Sequence, residues 1–536
     1  MNPKPLRVLL FPLLIGASIA AGIVLGYRLS GNQSLAGLGE NSDDKISDAL
    51  RYIMEQYVDT LNPKTFQDEA ITALLSRLDP HSSYIPASDL QQVSEQLEGN
   101  FDGIGVEFNI QNDTIIVVAA ISGGPSEALG IQSGDRIVEI EGKKAAGVHI
   151  SNEDVIKKLR GKRNTEVKIK ILRPGRSSLI PYTITRDKIP IYSVDAALML
   201  DKTTGYIRIS RFAATTYDEY LKAFNKLNGM GMKDLVLDLR DNPGGYLNAA
   251  VDLCDEFLPK GRKIVYTEGK ARKKEEYNAT TKGAFEKGGL IVLIDEGSAS
   301  ASEIVSGAVQ DNDRGWVVGQ RSFGKGLVQE EVRFGDGSAM RLTVARYYTP
   351  AGRCIQRPYT NGTDEYYKEI TDRLSGNADS LKNKSKQDSV AYRTLKGRKV
   401  YGGGGVNPDF IVNSDTTGYS TYLAKVVSEG LINRFVFSKT EKLKSQLKGQ
   451  YPNAATFAKD FNSSALLTEF FTFCRSNGLA DNQAQQQRSA ALLEQQLKAL
   501  TARALYGNDG YYAVQCAKDK NVQKALQLLN TGRKSP

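Results

Sequence analysis

Several hydrophobic rhythms follow one another along this chain. The first is an uncharged run from Val8 to Tyr27, preceded by Lys4 and Arg7. At a rise of about 1.5 Å per residue it reaches roughly the 30 Å of a bilayer core and predicts one N-terminal transmembrane helix. The basic end then stays inside, and the chain after Arg28 is translocated. Ser18-Ile19-Ala20 also offers a signal-peptidase pattern, but the apolar run continues through Ile23, Val24 and Leu25, which favours an uncleaved anchor over residues 1–28. Residues 29–43 are rich in Gly, Ser and Asn and read as a tether. The rhythm then becomes helical over 44–98: Ile46, Leu50, Ile53 and Met54, then Ile71, Leu74, Leu75 and Leu78, recur every three or four residues until Pro80 breaks the pattern.

From 99 to 175 the period shortens to two, as where Val167, Ile169 and Ile171 alternate with Glu166, Lys168 and Lys170. A third regime covers 190–415. Continuous apolar runs such as Leu235-Val236-Leu237 and Leu290-Ile291-Val292-Leu293-Ile294 alternate with helical stretches and predict an α/β core of largely parallel strands. A polar, Lys- and Asp-rich insertion over 357–400 interrupts it and is expected to be exposed and mobile. Residues 416–536 read as mainly helical. Their stripe of Leu492, Leu493, Leu497 and Leu500 suits packing within the chain first and a homo-oligomer contact second.

Composition changes this picture little. At 58.7 kDa the chain exceeds a single core, and 40% hydrophobic with 24% charged residues argues against global disorder. The net charge of +9 is spread out without an aromatic-and-basic recognition motif, so no nucleic-acid partner is expected. Cys254, Cys354, Cys474 and Cys516 show neither zinc spacing nor a Cys-x-x-Cys redox motif.

The informative scarcity is histidine: His81 and His149 are the only two. Yet Gly297-Ser298-Ala299-Ser300-Ala301-Ser302-Glu303 precedes the helical pattern of Ile304, Val305 and Ala308. A serine at a helix N-terminus meets unpaired N–H groups that favour developing negative charge, although most such serines do no more than cap. Lys325, between Gly324 and Gly326, becomes a base only if burial lowers its pKa; an ordinary lysine stays solvated and charged. Asp238-Leu239-Arg240-Asp241-Asn242-Pro243-Gly244-Gly245 reads as a strand ending in a turn whose glycines permit close approach to a ligand, or as a plain strand-to-helix connection. Spacing alone leaves open which serine of the triplet acts.

The segment Gly103-Ile104-Gly105-Val106-Glu107-Phe108, with Gly134-Asp135-Arg136-Ile137 and the helix from Ser151 to Leu159, resembles a PDZ domain. Together with the serine and lysine segments, Leu78-Asp79-Pro80-His81 and Tyr347-Tyr348-Thr349-Pro350, it makes the chain resemble the carboxyl-terminal processing peptidases of family S41 over roughly residues 70–415. The resemblance implies an S41-type α/β peptidase core with a PDZ domain, and a Ser/Lys serine endopeptidase that needs no metal or organic cofactor. It makes Ser300 the nucleophile, Lys325 the general base and Gln329 the residue that orients the lysine. Gly244 and Ala301 supply the oxyanion hole, and Gly103, Ile104, Gly105 and Val106 bind the carboxylate of a protein's C-terminal tail. With the anchor, it implies a single-pass bacterial inner-membrane protein whose catalytic part faces the periplasm. Two rivals are a PDZ peptide-binding scaffold with an inert core and a Ser/His hydrolase using His81. His149 is expected to be structural and partly exposed.

Overall fold

The computed structural model describes residue 22 and residues 45–281, 283–374, 390–413, 415–533 and 535–536. Apart from Gly22, the predicted anchor lies outside the described residues, and among those no helix is long and apolar enough to cross a membrane. The chain divides into two compact units, 1–74 and 75–536. In the first, the helix Lys45–Gln56 precedes a helix whose start is set by Asn62. The Asn62 side chain accepts from the N–H groups of Lys64 and Thr65, and Pro63, which has no N–H to satisfy, occupies the first position.

In the second unit, the PDZ-like body is a sheet of Val106–Gln111, Thr114–Ala120, Arg136–Ile140, Glu166–Leu172 and Ile180–Thr185, hydrogen-bonded in that order. It closes over Ile115, Val117, Ile137, Val155, Val167, Ile171 and Ile184, all fully buried. The sheet runs past residue 175 because Glu166–Leu172 turns back into Ile180–Thr185 with six paired positions. Asp135 of the Gly-Asp-Arg segment is buried and takes a bidentate grip from Arg173, at 2.7 and 2.8 Å, so the buried charge is paired.

The peptidase core is a six-stranded sheet in the order Val194–Met199, Thr204–Ile209, Asp234–Asp238, Leu290–Ile294, Trp316–Gly319 and Phe410–Ile411; only the first pair is antiparallel. The continuous apolar runs are explained by burial on both faces. On one face Leu235, Leu237 and Val292 meet Tyr220, Phe224, Leu253, Ile304 and Ala308 of three helices. On the other, Val236, Ile291 and Leu293 meet Val522, Ala525, Leu528 and Leu529 of the helix Lys520–Asn530. The C-terminal region therefore completes the peptidase sheet, each buried leucine contributing about 2 kcal/mol of transfer free energy. Leu493 and Leu497 of the predicted stripe are fully buried within this region, with Leu492 and Leu500 packed beside them.

One expectation holds only in part. Part of the insertion is a helix, Thr363–Leu374, with Tyr366 buried, and Arg357 before it is buried too. Asp364, Glu365 and Lys368 face solvent as expected, while Glu369 and Arg373 bond inward, a difference that hydropathy does not record.

Candidate active site

The site is built where three strand ends and a hairpin meet. Asp234–Asp238 ends at the fully buried Asp238, which accepts from Arg240 (2.9 and 2.6 Å), Arg208 (3.2 Å) and Tyr206 (2.7 Å). Burial alone pushes this carboxyl up; Arg240 and Arg208 outweigh it and hold the group well below the usual range. The turn that follows is organised by Asn242. Its Nδ2 donates to Ile209 O, its Oδ1 accepts from the Gly244 N–H at 2.9 Å, and its carbonyl accepts from Ala299 N and Ser302 Oγ.

Gly244, at φ +96°, is pressed against the serine segment. A Cβ there would come within 2.7 Å of Ser300 Cβ and 2.9 Å of Ala301 N, so only glycine fits. The structure thus brings Gly244, Ser300 and Ala301 together. The Ala301 N–H has no acceptor among the described residues, as befits the first turn of the helix Ala301–Asp311, whereas that of Gly244 is engaged by Asn242.

The three serines of the triplet differ in their bonding. Ser298 Oγ donates to Leu239 O at 2.8 Å and Ser302 Oγ to Asn242 O at 3.0 Å, both fully buried. Ser300 sits between them at φ +56°, ψ −112°, a conformation that strains a residue carrying a Cβ. It lies on the turn between the strand Leu290–Ile294 and the helix Ala301–Asp311.

The strain is held by Glu303. Its fully buried carboxylate accepts from Ser300 N (2.8 Å), Lys325 N (2.9 Å), Gly324 N (2.7 Å) and Ser322 Oγ (2.5 Å). Burial, partly offset by these donors, pushes its pKa up to about 7. The Tyr347 hydroxyl donates to Ser300 O and Lys325 O, so two residues join the serine and lysine loops. Neither was singled out from the sequence for this role, although Ser300 and Glu303 have the spacing of a capping box, a signal that pointed there.

Lys325 Nζ donates to Gln329 Oε1 at 2.9 Å. Among the described residues no hydrogen bond joins this amine to the Ser300 hydroxyl. Burial, then the charge of Arg341, lowers the lysine's pKa. Gln329 stands at a register irregularity in Leu327–Arg333, which aims its amide at the lysine, and its Nε2 donates to His81 O at 2.5 Å. His81 contributes its carbonyl here. Its imidazole bonds Tyr366 OH at 2.8 Å, and among the described residues no hydrogen bond joins it to Ser300; burial, followed by the Lys325 charge, lowers its pKa to about 4. His149 is fully exposed at the side chain.

In the PDZ-like body, Gly105 adopts φ +73°, and the N–H groups of Ile104 and Gly105 have no acceptor among the described residues. Gly103 ends the strand before this loop and Val106 begins the one after it. Residues 103–105 are buried, and Val106–Gln111 forms one edge of the sheet.

Residues 203–365 match the profile of Peptidase family S41, and residues 103–181 that of the PDZ domain. Residues 422–507 match a family of unknown function. The chain is similar to the carboxy-terminal processing protease CtpA of Bacillus subtilis, at 33% identity over 65% of this chain and 75% of the relative. It is also similar to the carboxy-terminal-processing protease of Bartonella bacilliformis, at 36% identity over 58% of this chain and 72% of the relative. Among solved structures, the photosystem II D1 C-terminal processing protease shares 31% identity over 57% of this chain and 82% of that one, at a TM-score of 0.33.

Proposed function

This chain belongs to the carboxy-terminal processing proteases of peptidase family S41, and from that premise we propose that it is a serine endopeptidase using Ser300 with Lys325 as general base. The observation that carries the assignment is the strained turn at Ser300, flanked by two serines already committed to carbonyls. The PDZ body takes the C-terminal carboxylate of a protein substrate on the N–H groups of the 103–106 loop. An upstream peptide carbonyl then reaches Ser300. Oγ attacks as its proton passes to the neutral Lys325 amine, the lysine returns that proton to the departing amine, and water hydrolyses the acyl-enzyme by the reverse route. Gln329, anchored on His81 O, sets the amine's approach.

Ala301 offers a free N–H to the oxyanion. Gly244 joins it when its N–H exchanges Asn242 for substrate. The amine likewise turns from Gln329 toward Ser300. The inert-scaffold reading draws on these same two occupied donors.

A fluorophosphonate probe separates the readings. The peptidase reading expects covalent labelling at Ser300 and its loss in Lys325→Ala, while tail binding persists in both Ser300→Ala and Lys325→Ala. Absence of labelling in a protein that cleaves would reject Ser300. Residues 8–27 anchor the chain in the bacterial inner membrane with the peptidase in the periplasm; carbonate extraction and protease accessibility of spheroplasts test this placement.

A further inference from the structure

Most of the helix Thr363–Leu374 lies beyond the residues that match the peptidase family, yet it bonds to the lysine loop and to the turn at His81. Arg373, whose side chain is 6% exposed, donates from Nη1 to the carbonyls of Arg321 and Ser322, both at 3.0 Å. Glu369 accepts from Arg321 and Arg357 and lies 3.3 Å from Arg373, so one carboxylate gathers three guanidinium groups. Arg357 is held face-on, 4.0 Å from the Tyr366 ring centroid and 4.4 Å from that of Phe323, and its N–H donates to Gly324 O. Beyond Lys325, the Gly326 N–H donates to Gln356 Oε1 at 2.8 Å, and Gln356 Nε2 reaches Tyr366 OH at 3.4 Å. Tyr366 OH also holds the His81 ring, and Tyr367 OH donates to Pro80 O at 3.2 Å. These fix the turn whose carbonyl seats Gln329.

The backbone on both sides of Lys325, and the partner of its amine, are therefore fastened to one helix that carries none of the reacting groups. Such an arrangement is expensive to bury. Among the described residues, Arg357 Nε and Nη2 and Arg373 Nε have no hydrogen-bond partner. A guanidinium cluster that merely filled space is more cheaply replaced by apolar side chains.

We infer that Tyr366, Glu369 and Arg373 are positioning residues for the catalytic lysine, acting through the 321–326 loop and the 79–82 turn. The inference rests on the Ser/Lys reading above. Loosening the helix admits water to the amine, and because burial is the main cause of that amine's lowered pKa, its pKa then rises toward the ordinary lysine range.

The test measures kcat, KM and the pH dependence of kcat on a tail-bearing protein substrate for Tyr366→Phe, Arg373→Ala, Arg373→Lys and Lys325→Ala of the full chain. Displacing a reacting group slightly costs up to about a hundredfold, so Arg373→Ala is expected to lower kcat by about ten- to a hundredfold and Tyr366→Phe by about threefold. KM should stay unchanged, half-maximal kcat should move to higher pH, and Arg373→Lys should restore part of the rate. An unchanged kcat and pH profile in Tyr366→Phe and Arg373→Ala overturns the inference, as does a loss confined to KM. If Arg373→Ala fails to fold, Tyr366→Phe, which removes one oxygen, decides alone by its pH profile. Cleavage retained in Lys325→Ala instead sinks the underlying reading, whatever the helix variants do.

Discussion

Two helices in this protein begin with the same local device, a serine followed three residues later by an acid. Ser151 and Asp154 open the PDZ helix Asn152–Leu159, and Ser300 and Glu303 open Ala301–Asp311. At the first, Ser151 has ordinary extended dihedrals (φ −87°, ψ 162°), its Oγ accepts from Asp154 N at 3.1 Å, and its own N–H donates to Asp154 Oδ2 at 3.2 Å. The exchange is local and open to water. At the second, the serine is strained and the acid is buried, accepting from a loop 19 to 22 residues further along as well as from Ser300 itself. One spacing caps a helix in one place and assembles a site in the other. Tertiary surroundings decide which.

The comparison breaks most visibly at the serines. Ser300→Ala or Lys325→Ala is expected to lower kcat by about 10³-fold or more, since members of a catalytic unit fail together. Ser151→Ala should leave kcat on a bound substrate intact. Steady-state kinetics on a tail-bearing substrate checks both, and equal losses at the two serines would mean that neither box is special.

Next in size is Glu303→Gln. An amide retains only one acceptor oxygen where four donors converge, so the Ser300 and Lys325 loops part; a kcat loss of about a hundredfold is expected, with tail affinity preserved. Asp154→Asn, in a solvated box, should change only the stability of the PDZ body. A catalytic loss shared by both substitutions would erase the contrast drawn here.

What was legible in the sequence follows the same division. Strand alternation at 166–171 and the unbroken apolar runs at 235–237 and 290–294 are signals carried within a few residues, and each appears in the fold. The pairing of Glu303 with Ser322 and Lys325, the bridge from Tyr347 and the role of the His81 carbonyl depend on contacts between distant segments, which no local period records. The helix Thr363–Leu374 was hidden for a different reason. Two of its charged residues, Glu369 and Arg373, pair on its inner face with each other and with Arg357, and composition alone reads them like the solvent-facing Asp364, Glu365 and Lys368.

The two acids also respond oppositely to pH. Asp154 has its pKa lowered by hydrogen bonds from Ser151, so its contribution to stability is present above the unfolded carboxylate value and fades as pH falls through the lowered one. Glu303 is raised from 4.5 to about 7 by burial, so its contribution is complete below about pH 4.5 and is lost as pH rises through about 7, on the order of 3 kcal/mol in all. The ionised form is nonetheless the one that accepts from all four donors, and the lysine too must lose its charge. Activity should therefore climb with pH over the range in which this group costs stability. Denaturant midpoints and kcat followed from pH 5 to 8 check the claim: wild type should lose stability relative to Glu303→Gln as kcat rises. Parallel curves for the two proteins would show that Glu303 does not titrate there.

The smallest expected effect sharpens the comparison from the PDZ side. Ser151→Ala removes one cap at an exposed helix start and should destabilise that body by about 1 kcal/mol. The helix Asn152–Leu159 contributes Val155 and Leu159 to the core behind the 103–106 loop, so the loss should surface as faster amide exchange in this helix and a modest weakening of tail binding. Asp154 remains to interact with the exposed N-terminus, and water can replace the missing hydroxyl, which is why the cost stays small. A several-fold fall in kcat, with tail affinity unchanged, would show that the two boxes are coupled and that the solvated one also belongs to the reaction.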